Sequence, residues 1–378
     1  MAIFPWFRKS RPQGYYSGKY LTSGEFEWVK LQPFLLQRGY QLRPRFQPNW
    51  IPSWKRWNNF GRQTWLSSED GLQVLVHVDL LDAIRVKDGK RVVMKMVKTE
   101  KFELPLLLLL NEGVIRKHPD NKIVDVLDVL LRPDTDETAL VVMPHLINFA
   151  LIPFQFVSEV AEAFVQFLDG LSFLHFCNIA HRDICFFNLM MDGTDVAPAG
   201  FHFATDNRPE RGNPDQPPPY KARRSVPSIR YYIVDVGISR WFLHTSKIDD
   251  RRIYGQWGQD NTVPEWQQQD EPHDPFKVDV YQLGSVFRRI ITHYEGLDMF
   301  QPLVSSMTSI NPNDRPTAKE ATKVLKELVS SFTESELSRR TSYKRCSPEI
   351  RKRLESGLES PPELLKYREY LFPEFRKC

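Results

Sequence analysis

The order of hydrophobic patterns along the chain limits its fold more than any other feature. Runs rich in β-branched residues come first, at 72–86 and 91–97, and the turn "KDGK" separates them. A helical stretch follows over 101–116, and two further strand-like runs lie at 122–131 and 138–146. Because strands precede helices, the sequence predicts an α+β fold with a small sheet-bearing lobe at its start.

Helical periodicity dominates after about residue 150. One face of the segment 156–176 carries Val160, Phe164, Leu168, Leu171 and Leu174. Further helices are predicted over 275–294 and 317–332. Residues 205–225 are rich in proline and charge and have no apolar period, which predicts an exposed, disordered insertion within 193–230.

The two ends of the chain differ in pattern from its centre. Residues 1–69 form an aromatic and basic extension, with one short helix predicted over 23–40 and interrupted at Pro33. Alternating Trp and Arg in this extension would suit base stacking, but packing onto the main domain is the favoured interpretation. The basic tail, 333–378, is interpreted as a solvated helix surface rather than a nuclear-import signal or a site for an acidic partner.

The composition excludes several classes of protein. With 51 basic and 47 acidic residues among 378, the net charge of +4 is too balanced to predict nucleic acid as a partner. No two of the four cysteines form a C-x-x-C pair, so neither a zinc site nor a disulfide framework is indicated. The longest apolar run, 104–110, is too short for a bilayer, and the N-terminus lacks the apolar core of a signal peptide. We therefore expect an intracellular protein, cytoplasmic or nuclear, without a membrane partner.

The stretch "IAHRDICFFNLMMD" (179–192) carries the residues most informative about chemistry. Phosphoryl transfer needs a carboxylate that orients an attacking hydroxyl and accepts its proton, together with oxygen ligands for Mg²⁺. Asp183 and Asn188 supply one of each, and their spacing predicts that both side chains face one cleft. A later strand ends in Asp235, a suitable Mg²⁺ ligand, with Gly237 allowing unusual backbone angles.

A lysine lies inside the predicted sheet. Lys95 is in mid-strand among apolar residues, where an unpaired charge is costly. We expect it to contact phosphate oxygens and an acidic residue of the next helix. Glu103 is the first choice for that residue and Glu112 the second.

Together these segments resemble the eukaryotic protein kinases over residues 70–332. In chain order, the matching positions are Lys95, the His181–Asp183–Asn188 loop, Asp235–Gly237, Pro264–Glu265, Asp279–Gly284 and Arg315. A closer similarity, to the kinase-like proteins expanded in mushroom-forming (basidiomycete) fungi, rests on "RPRFQPNWIPSW", "DAIRVKDGK", "IRYYIVDVG", "GQDNTVPE" and "PFKVDVYQLGSVF". The resemblance implies a bilobal fold, with a small β-rich N-lobe at 70–143 that has one main helix, a hinge at 144–147 and a larger helical C-lobe at 148–332.

The resemblance also implies that the protein binds ATP and Mg²⁺, and it assigns roles to individual residues. Asp183 would be the catalytic base beside Lys95, and Asn188 and Asp235 would hold Mg²⁺. The residues implied at the nucleotide are Lys95, Glu103, Val93, Met143, His145, Met190 and Asp235. The residues implied to be structural or regulatory are His181, Arg182, Gly237, Glu265, Asp279 and Arg315.

Three contacts follow from the resemblance. Asp279 should accept hydrogen bonds from the backbone near His181 and Arg182, and Glu265 should pair with Arg315. Arg182 would meet a phosphate on the activation segment. The candidate phosphate acceptors are Thr245, Ser246, Tyr254 and Thr262.

Several positions depart from the family pattern. No G-x-G-x-x-G precedes Lys95, which predicts weaker or altered nucleotide binding. Cys185 replaces the lysine that supports the transferred phosphate in Ser/Thr kinases. Val93 and Val236 replace the usual Ala and Phe, which predicts a narrower adenine slot and looser packing beside Asp235.

Two interpretations of function remain open. The favoured one is an ATP-dependent kinase that acts on Ser or Thr hydroxyls of an unnamed protein substrate, since all the polar groups of the reaction centre are retained. The alternative is a pseudokinase, a nucleotide-binding or scaffolding module with little turnover, which the missing glycines and Cys185 favour. Small-molecule phosphotransfer is disfavoured because Arg182, Glu265 and Arg315 belong to a protein-kinase activation segment.

Overall fold

A computed structural model of the chain describes residues 20–55, 68–72, 78–210, 218–243, 251–267 and 271–355. Within them the protein is α+β, as predicted, with an antiparallel sheet and several helices. The chain divides into two compact units, one of residues 1–78 and 83–90, the other of residues 79–82 and 91–378. This division falls near residue 79, and the predicted lobe boundary at 144–147 stays a prediction.

The regular elements of the described residues are as follows. The helices are α1 (Ser23–Gln37), α2 (Glu103–Leu110), α3 (Gly113–Lys117), α4 (Val157–Phe176), α5 (Pro275–His293), α6 (Gln301–Met307), α7 (Ala318–Ser330), α8 (Glu334–Leu337) and α9 (Pro348–Glu355). The strands are β1 (Tyr40–Leu42), β2 (Leu80–Arg85), β3 (Lys90–Lys98), β4 (Asp128–Leu131), β5 (Thr138–Pro144), β6 (Ile147–Asn148), β7 (Ile179–Ala180), β8 (Leu189–Met191), β9 (Phe201–His202), β10 (Thr205–Pro209), β11 (Tyr231–Ile233) and β12 (Arg240–Trp241).

The first unit is built around α1. A capping box begins this helix: the Thr22 hydroxyl accepts from Glu25 N, and the Glu25 carboxylate accepts from Thr22 N. The helix runs through Pro33, so the predicted interruption there is wrong. Apolar side chains on both sides of the proline are buried, Trp28 and Leu35 among them, and their burial outweighs the hydrogen bond that proline cannot make.

The second unit holds an antiparallel sheet. β3 pairs with β5 and β5 with β4, so Lys95 lies opposite Val141 in the middle of the ladder. Residues 80–82 of β2 also belong to this unit. The strand predicted over 122–131 begins only at Asp128. The backbone before it bonds instead to β11 and to the side chain of Asn111, which explains the shorter strand.

Helices supply most of the core of the second unit. α4 carries the predicted apolar face, and all five predicted side chains are buried. Phe164 of α4 stacks on Phe287 of α5, with 3.8 Å between ring centroids. The helices predicted over 275–294 and 317–332 are α5 and α7, and their ends agree with the prediction to within the usual margin. The single helical stretch predicted over 101–116 is instead the pair α2 and α3.

The predicted insertion is ordered wherever the structure describes it. β9 and β10 form an antiparallel pair within it. Tyr220 and Arg223 are buried, and Arg223 Nη2 donates to Phe149 O at 2.6 Å. The prediction of no regular structure and few buried contacts over 205–225 is therefore wrong for these residues, because a few anchoring side chains replace an apolar period. Residues 211–217 lie outside the described residues.

The C-terminal tail contributes to the core as well. Tyr343 and Cys346 are buried, and the Tyr343 ring lies 4.5 Å from the Tyr294 ring, centroid to centroid. The expectation of a merely solvated surface is wrong for this part of 333–378. Residues 356–378 lie outside the described residues.

Two further features concern the cysteines and the helices. The cysteines in the described ranges, Cys177, Cys185 and Cys346, are all free thiols. In the same ranges no helix is long and apolar enough to cross a membrane.

Candidate active site

Three charged side chains meet beside the sheet. The Nζ of Lys95, in β3, lies 2.5 Å from Glu103 Oε1, at the start of α2, and 2.8 Å from Asp235 Oδ1, after β11. Glu103 is buried, whereas 46% of the Asp235 side chain is exposed. The expected Lys95–Glu103 ion pair is thus present, and the second choice, Glu112, is exposed before α3.

The electrostatics of this cluster favour the charged forms. Burial alone would lower the pKa of Lys95, but the carboxylates of Asp235 and Glu103 outweigh burial and raise that pKa. Burial would likewise raise the pKa of Asp235, and the ammonium group of Lys95 reverses this and lowers it. One cation faces two carboxylates, so the cluster carries an excess negative charge.

The two polar residues of the 179–192 loop lie side by side. A 3₁₀ turn over Phe186–Asn188 brings the Asn188 side chain back to Asp183. Asn188 Nδ2 donates to Asp183 O at 2.9 Å and to Asp183 Oδ2 at 3.0 Å. Since both contacts are with acceptors, the nitrogen of the amide must face Asp183, and its oxygen is left for another donor or a cation.

Backbone pairing joins this loop to the charged cluster. β8, which follows Asn188, pairs with β11, which precedes Asp235. Val234 N donates to Asn188 O at 3.0 Å, and His181 Nε2 lies 3.1 Å from Val234 O. Asn188 and Asp235 therefore lie at neighbouring strand ends.

The backbone around Asp235 differs from the prediction. Asp235 itself has φ +64°, a left-handed conformation that Asp tolerates better than most residues. Gly237, for which unusual angles are predicted, is not in that region. A Cβ on Gly237 would lie 3.0 Å from Asp235 Oδ1 and 3.1 Å from Glu103 Oε2, so a larger residue there would press on both carboxylates. Val236, between them, is buried in the core.

Two side chains of α5 hold the loop. Asp279, which is fully buried, accepts from His181 N at 2.8 Å and from Arg182 N at 2.6 Å, as the resemblance implies. Gln282 accepts from Ile184 N at 3.0 Å and donates to Arg182 O at 3.3 Å. These hydrogen bonds offset the strain of Arg182, whose φ is +71°.

The Arg182 guanidinium is a half-buried cation beside aromatic surface. Its Nη1 donates to Ile238 O at 3.0 Å, and its Cζ lies 4.4 Å from the centroid of the Trp257 ring. Its Nε has no hydrogen-bond partner among the described residues. Burial lowers the pKa of this guanidinium to about 10. Such a group suits an anion.

The four predicted phosphate acceptors fall into two groups. Tyr254 is 64% exposed, and the Thr262 hydroxyl lies 2.7 Å from Asp260 Oδ1. Thr245 and Ser246 lie outside the described residues. Phosphorylation at any of the four stays a prediction.

A bidentate ion pair joins Glu265 to the helical core. Arg315 Nη1 and Nη2 lie 2.7 Å and 2.8 Å from the two carboxylate oxygens of Glu265. Arg315 is buried and also donates to Ser309 O and Lys277 O, so its donors are well used. The pair expected from the resemblance is present.

The residues implied at an adenine slot lie on three elements. Val93 in β3 lies opposite Met143 in β5. His145 directly follows β5, and Met190 lies in β8. Residues 73–77, where a glycine-rich loop would lie, are outside the described residues. Nucleotide contact by these side chains stays a prediction.

The sequence patterns miss two residues that hold the Asp183 loop, Gln259 and Gln282. Gln259 N donates to Asp183 Oδ1 at 2.8 Å, and Gln259 Nε2 donates to Asp183 Oδ2 at 3.1 Å. The preceding Gly258 has φ +95°. No spacing in the sequence marks this contact, because it joins two loops. Gln282, which is also missed, follows Asp279 by three residues on a helix, and that spacing is a usable signal.

The chemistry of these donors fits a magnesium–nucleotide ligand. Asp235 and Asn188 offer hard oxygen atoms at neighbouring strand ends, and Lys95 offers a cation for phosphate. Mg²⁺ in nucleotide sites is held by one or two carboxylates and by phosphate oxygens rather than by an all-protein cage. The described ranges contain no group of three or more His, Cys, Asp or Glu side chains placed to hold a metal ion.

No model of a known protein family matches the chain, and no curated protein matches it either. The function proposed below therefore rests on the chain's own residues and on their geometry.

Proposed function

We propose that the protein is an ATP-dependent protein kinase that transfers the γ-phosphoryl group to Ser or Thr hydroxyls of a protein substrate. One observation carries the proposal: the ion cluster of Lys95 with Glu103 and Asp235 adjoins the loop of Asp183 and Asn188. Lys95 and Glu103 are largely removed from water, and desolvating such charges costs several kcal/mol for each ion, so apolar packing would be at least as stable there. Their presence together supports a chemical role.

Each of these side chains has a role that its position supports. Asp183 orients the substrate hydroxyl and takes its proton, as the hydroxyl oxygen bonds to phosphorus and ADP departs. Asn188 and Asp235 would hold Mg²⁺, and Lys95, fixed by Glu103, would contact the phosphates. When bound, MgATP supplies the phosphoryl group with part of its charge neutralised.

A bilobal kinase fold of the second unit is part of the same proposal. In it, the sheet of β3, β5 and β4 with α2 would be the small lobe, and the helices from α4 onward would be the large lobe. The order of these elements and the mid-strand position of Lys95 support this assignment.

A protein substrate is supported by the segment that leads to Glu265. The bidentate Glu265–Arg315 pair fixes the end of this segment to the helical core. Arg182, with its unpaired Nε among the described residues, offers a site for a phosphate carried by the segment. Both features match what the resemblance implies for a protein-kinase activation segment, and they disfavour a small-molecule acceptor.

A pseudokinase that binds nucleotide without turnover is the second candidate. Burial raises the pKa of the Cys185 thiol well above its ordinary value, so a neutral thiol stands where Ser/Thr kinases have a lysine. Both oxygens of Asp183 also accept hydrogen bonds from within the chain. These contacts favour a site that holds nucleotide more readily than it transfers phosphate.

The protein kinase and the pseudokinase would both bind a nucleotide together with Mg²⁺. Measuring nucleotide affinity with and without Mg²⁺ tests this shared property. Isothermal titration should give tighter ATP binding when Mg²⁺ is present. Asp235→Asn removes a charged ligand and should reduce this Mg²⁺-dependent gain by about tenfold, or about 1.4 kcal/mol. The control is Asp195→Asn, which removes an exposed carboxylate and should bind as the wild type does. ATP binding that ignores Mg²⁺, or that weakens equally in both variants, would contradict the proposed site.

A further inference from the structure

Three consecutive residues, 257–259, cover the loop that carries Asp183, and we call them the cap. Trp257 lies over the Arg182 guanidinium, with 4.4 Å from Cζ to the ring centroid. Gln259 donates two hydrogen bonds to Asp183, one from its backbone and one from its side chain. Loop and cap belong to the same compact unit.

The close approach of the cap depends on Gly258. Its φ is +95°, a conformation that L side chains rarely adopt. A Cβ at this position would lie 2.5 Å from Arg182 O and 2.9 Å from Asp183 Oδ1. Neither the backbone nor a buried carboxylate can move aside cheaply, so this contact requires glycine at 258.

The cap occupies part of the hydrogen-bonding capacity of the Asp183 carboxylate. A carboxylate offers about four lone-pair sites for hydrogen bonds. Gln259 N occupies one on Oδ1 at 2.8 Å, and Gln259 Nε2 occupies one on Oδ2 at 3.1 Å. Asn188 Nδ2 takes another on Oδ2 at 3.0 Å, so three of about four sites are filled, two of them by Gln259. Gly258 also lies against Oδ1, since an added Cβ there would be 2.9 Å from that oxygen. An incoming hydroxyl therefore meets a carboxylate that the cap largely covers.

We propose that Gln259 competes with the acceptor hydroxyl for Asp183 and so selects protein hydroxyls over water. This inference rests on the kinase function proposed above. When an acceptor hydroxyl displaces the Gln259 amide, Asp183 exchanges one hydrogen bond for another, so this exchange adds almost nothing to the binding free energy of the acceptor. The free energy that holds the acceptor at Asp183 must therefore come from contacts that other parts of the acceptor make. A protein chain can supply such contacts and water cannot, so the cap suppresses ATP hydrolysis.

Removing the side-chain donor alone tests the competition. Gln259→Ala should raise ADP release from MgATP without a protein acceptor by about 2- to 10-fold, the value of one lost hydrogen bond. The KM for ATP should not change, because the nucleotide does not touch this amide. The control is Gln256→Ala in the same segment, whose exposed side chain donates to Asn261 Oδ1 at 3.0 Å. This variant should release ADP at the wild-type rate.

Phosphotransfer to dephosphorylated casein separates competition from simple positioning of Asp183. Competition predicts that Gln259→Ala leaves kcat for casein near the wild-type value, or raises it, while ADP release without casein increases. A fall in kcat for casein together with a fall in ADP release would show that Gln259 only orients Asp183. Unchanged ADP release would overturn the proposal as well.

Amide hydrogen exchange reports on the cap without any need for activity. Asp183→Ala removes the acceptor of the Gln259 N–H and should speed exchange at that amide. Asp195→Ala should not, provided that far-UV circular dichroism is unchanged in both variants. If no variant transfers phosphate, the proposed function and the competition both fall, and faster exchange still demonstrates the cap. Unchanged exchange in Asp183→Ala would disprove the cap contact itself.

Discussion

At the scale of single residues, the site is defined by an imbalance of charge around Lys95. Its ammonium group faces two carboxylates, those of Glu103 and Asp235. Asp235 is the more exposed of the two, so the excess negative charge lies where a cation can reach it. Buried charges are costly unless they are paired, and a bound metal ion would supply the missing positive charge.

The ion pair between Lys95 and Asp235 predicts a pH dependence of stability. The ammonium group of Lys95 lowers the pKa of Asp235 in the folded protein below the ordinary value of 3.8. The Lys95–Asp235 ion pair therefore stabilises the fold at pH values above the ordinary pKa of Asp235. This stabilisation is lost as the pH falls through the lowered pKa that Asp235 has in the folded protein. We expect the wild type to melt above Asp235→Asn at pH 7 and the two melting temperatures to converge below about pH 4. Melting curves of both proteins and of the control Asp195→Asn check this, and a constant difference would refute it.

Prediction at the residue scale succeeds where a buried charge demands a partner. The Lys95–Glu103 pair follows from the cost of an unpaired lysine in a sheet, and its geometry agrees with that expectation. Prediction fails where the conformation of the backbone determines the position of a side chain. The left-handed angle belongs to Asp235 rather than to Gly237, and the contact of Gln259 with Asp183 depends on how two loops approach. Spacing along the chain encodes neither feature.

At the scale of elements, long periodic helices are predicted well and irregular segments poorly. α4, α5 and α7 are recognised because one face of each is apolar and that face is buried. The proline inside α1 and the short strand β4 are misjudged because tertiary contacts override local preference. The insertion is misjudged because it has no apolar period to recognise. It is anchored instead by isolated polar and aromatic side chains, Arg223 and Tyr220.

Arg223 is the anchor whose removal tests the corrected view of the insertion. Its Nη2 donates to Phe149 O at 2.6 Å and to Ile152 O, and its Cζ lies 3.8 Å from the Phe154 ring centroid. Arg223→Ala leaves two buried carbonyls without this donor and opens a cavity. It should lower the free energy of unfolding by about 2–4 kcal/mol, as measured by urea denaturation.

The neighbouring Lys221 provides a matched control for Arg223. Its side chain is exposed, so Lys221→Ala should change the free energy of unfolding by less than about 0.5 kcal/mol. Equal, small effects of both substitutions would mean that this part of the insertion does not pack in solution.

At the scale of the whole molecule, the site is assembled from elements far apart in sequence, all within the second compact unit. β3 and α2 bring Lys95 and Glu103, the loop after β7 brings Asp183, and the end of β11 brings Asp235. The order of these segments is visible in the sequence, and it predicts the residues that meet. The cap is not visible there, although Gln259 of the cap donates two hydrogen bonds to Asp183.

The most direct test of the central claim is phosphoryl transfer from MgATP to dephosphorylated casein by the wild type and by Asp183→Asn. The substitution keeps the shape of the side chain and removes the charge that accepts the proton. We predict ATP affinity close to wild type and transfer slower by a factor of about 10²–10⁴, the range for a general base. Equal transfer by the two proteins, or no transfer by a wild type that binds MgATP, would contradict the claim that Asp183 is the base of a kinase.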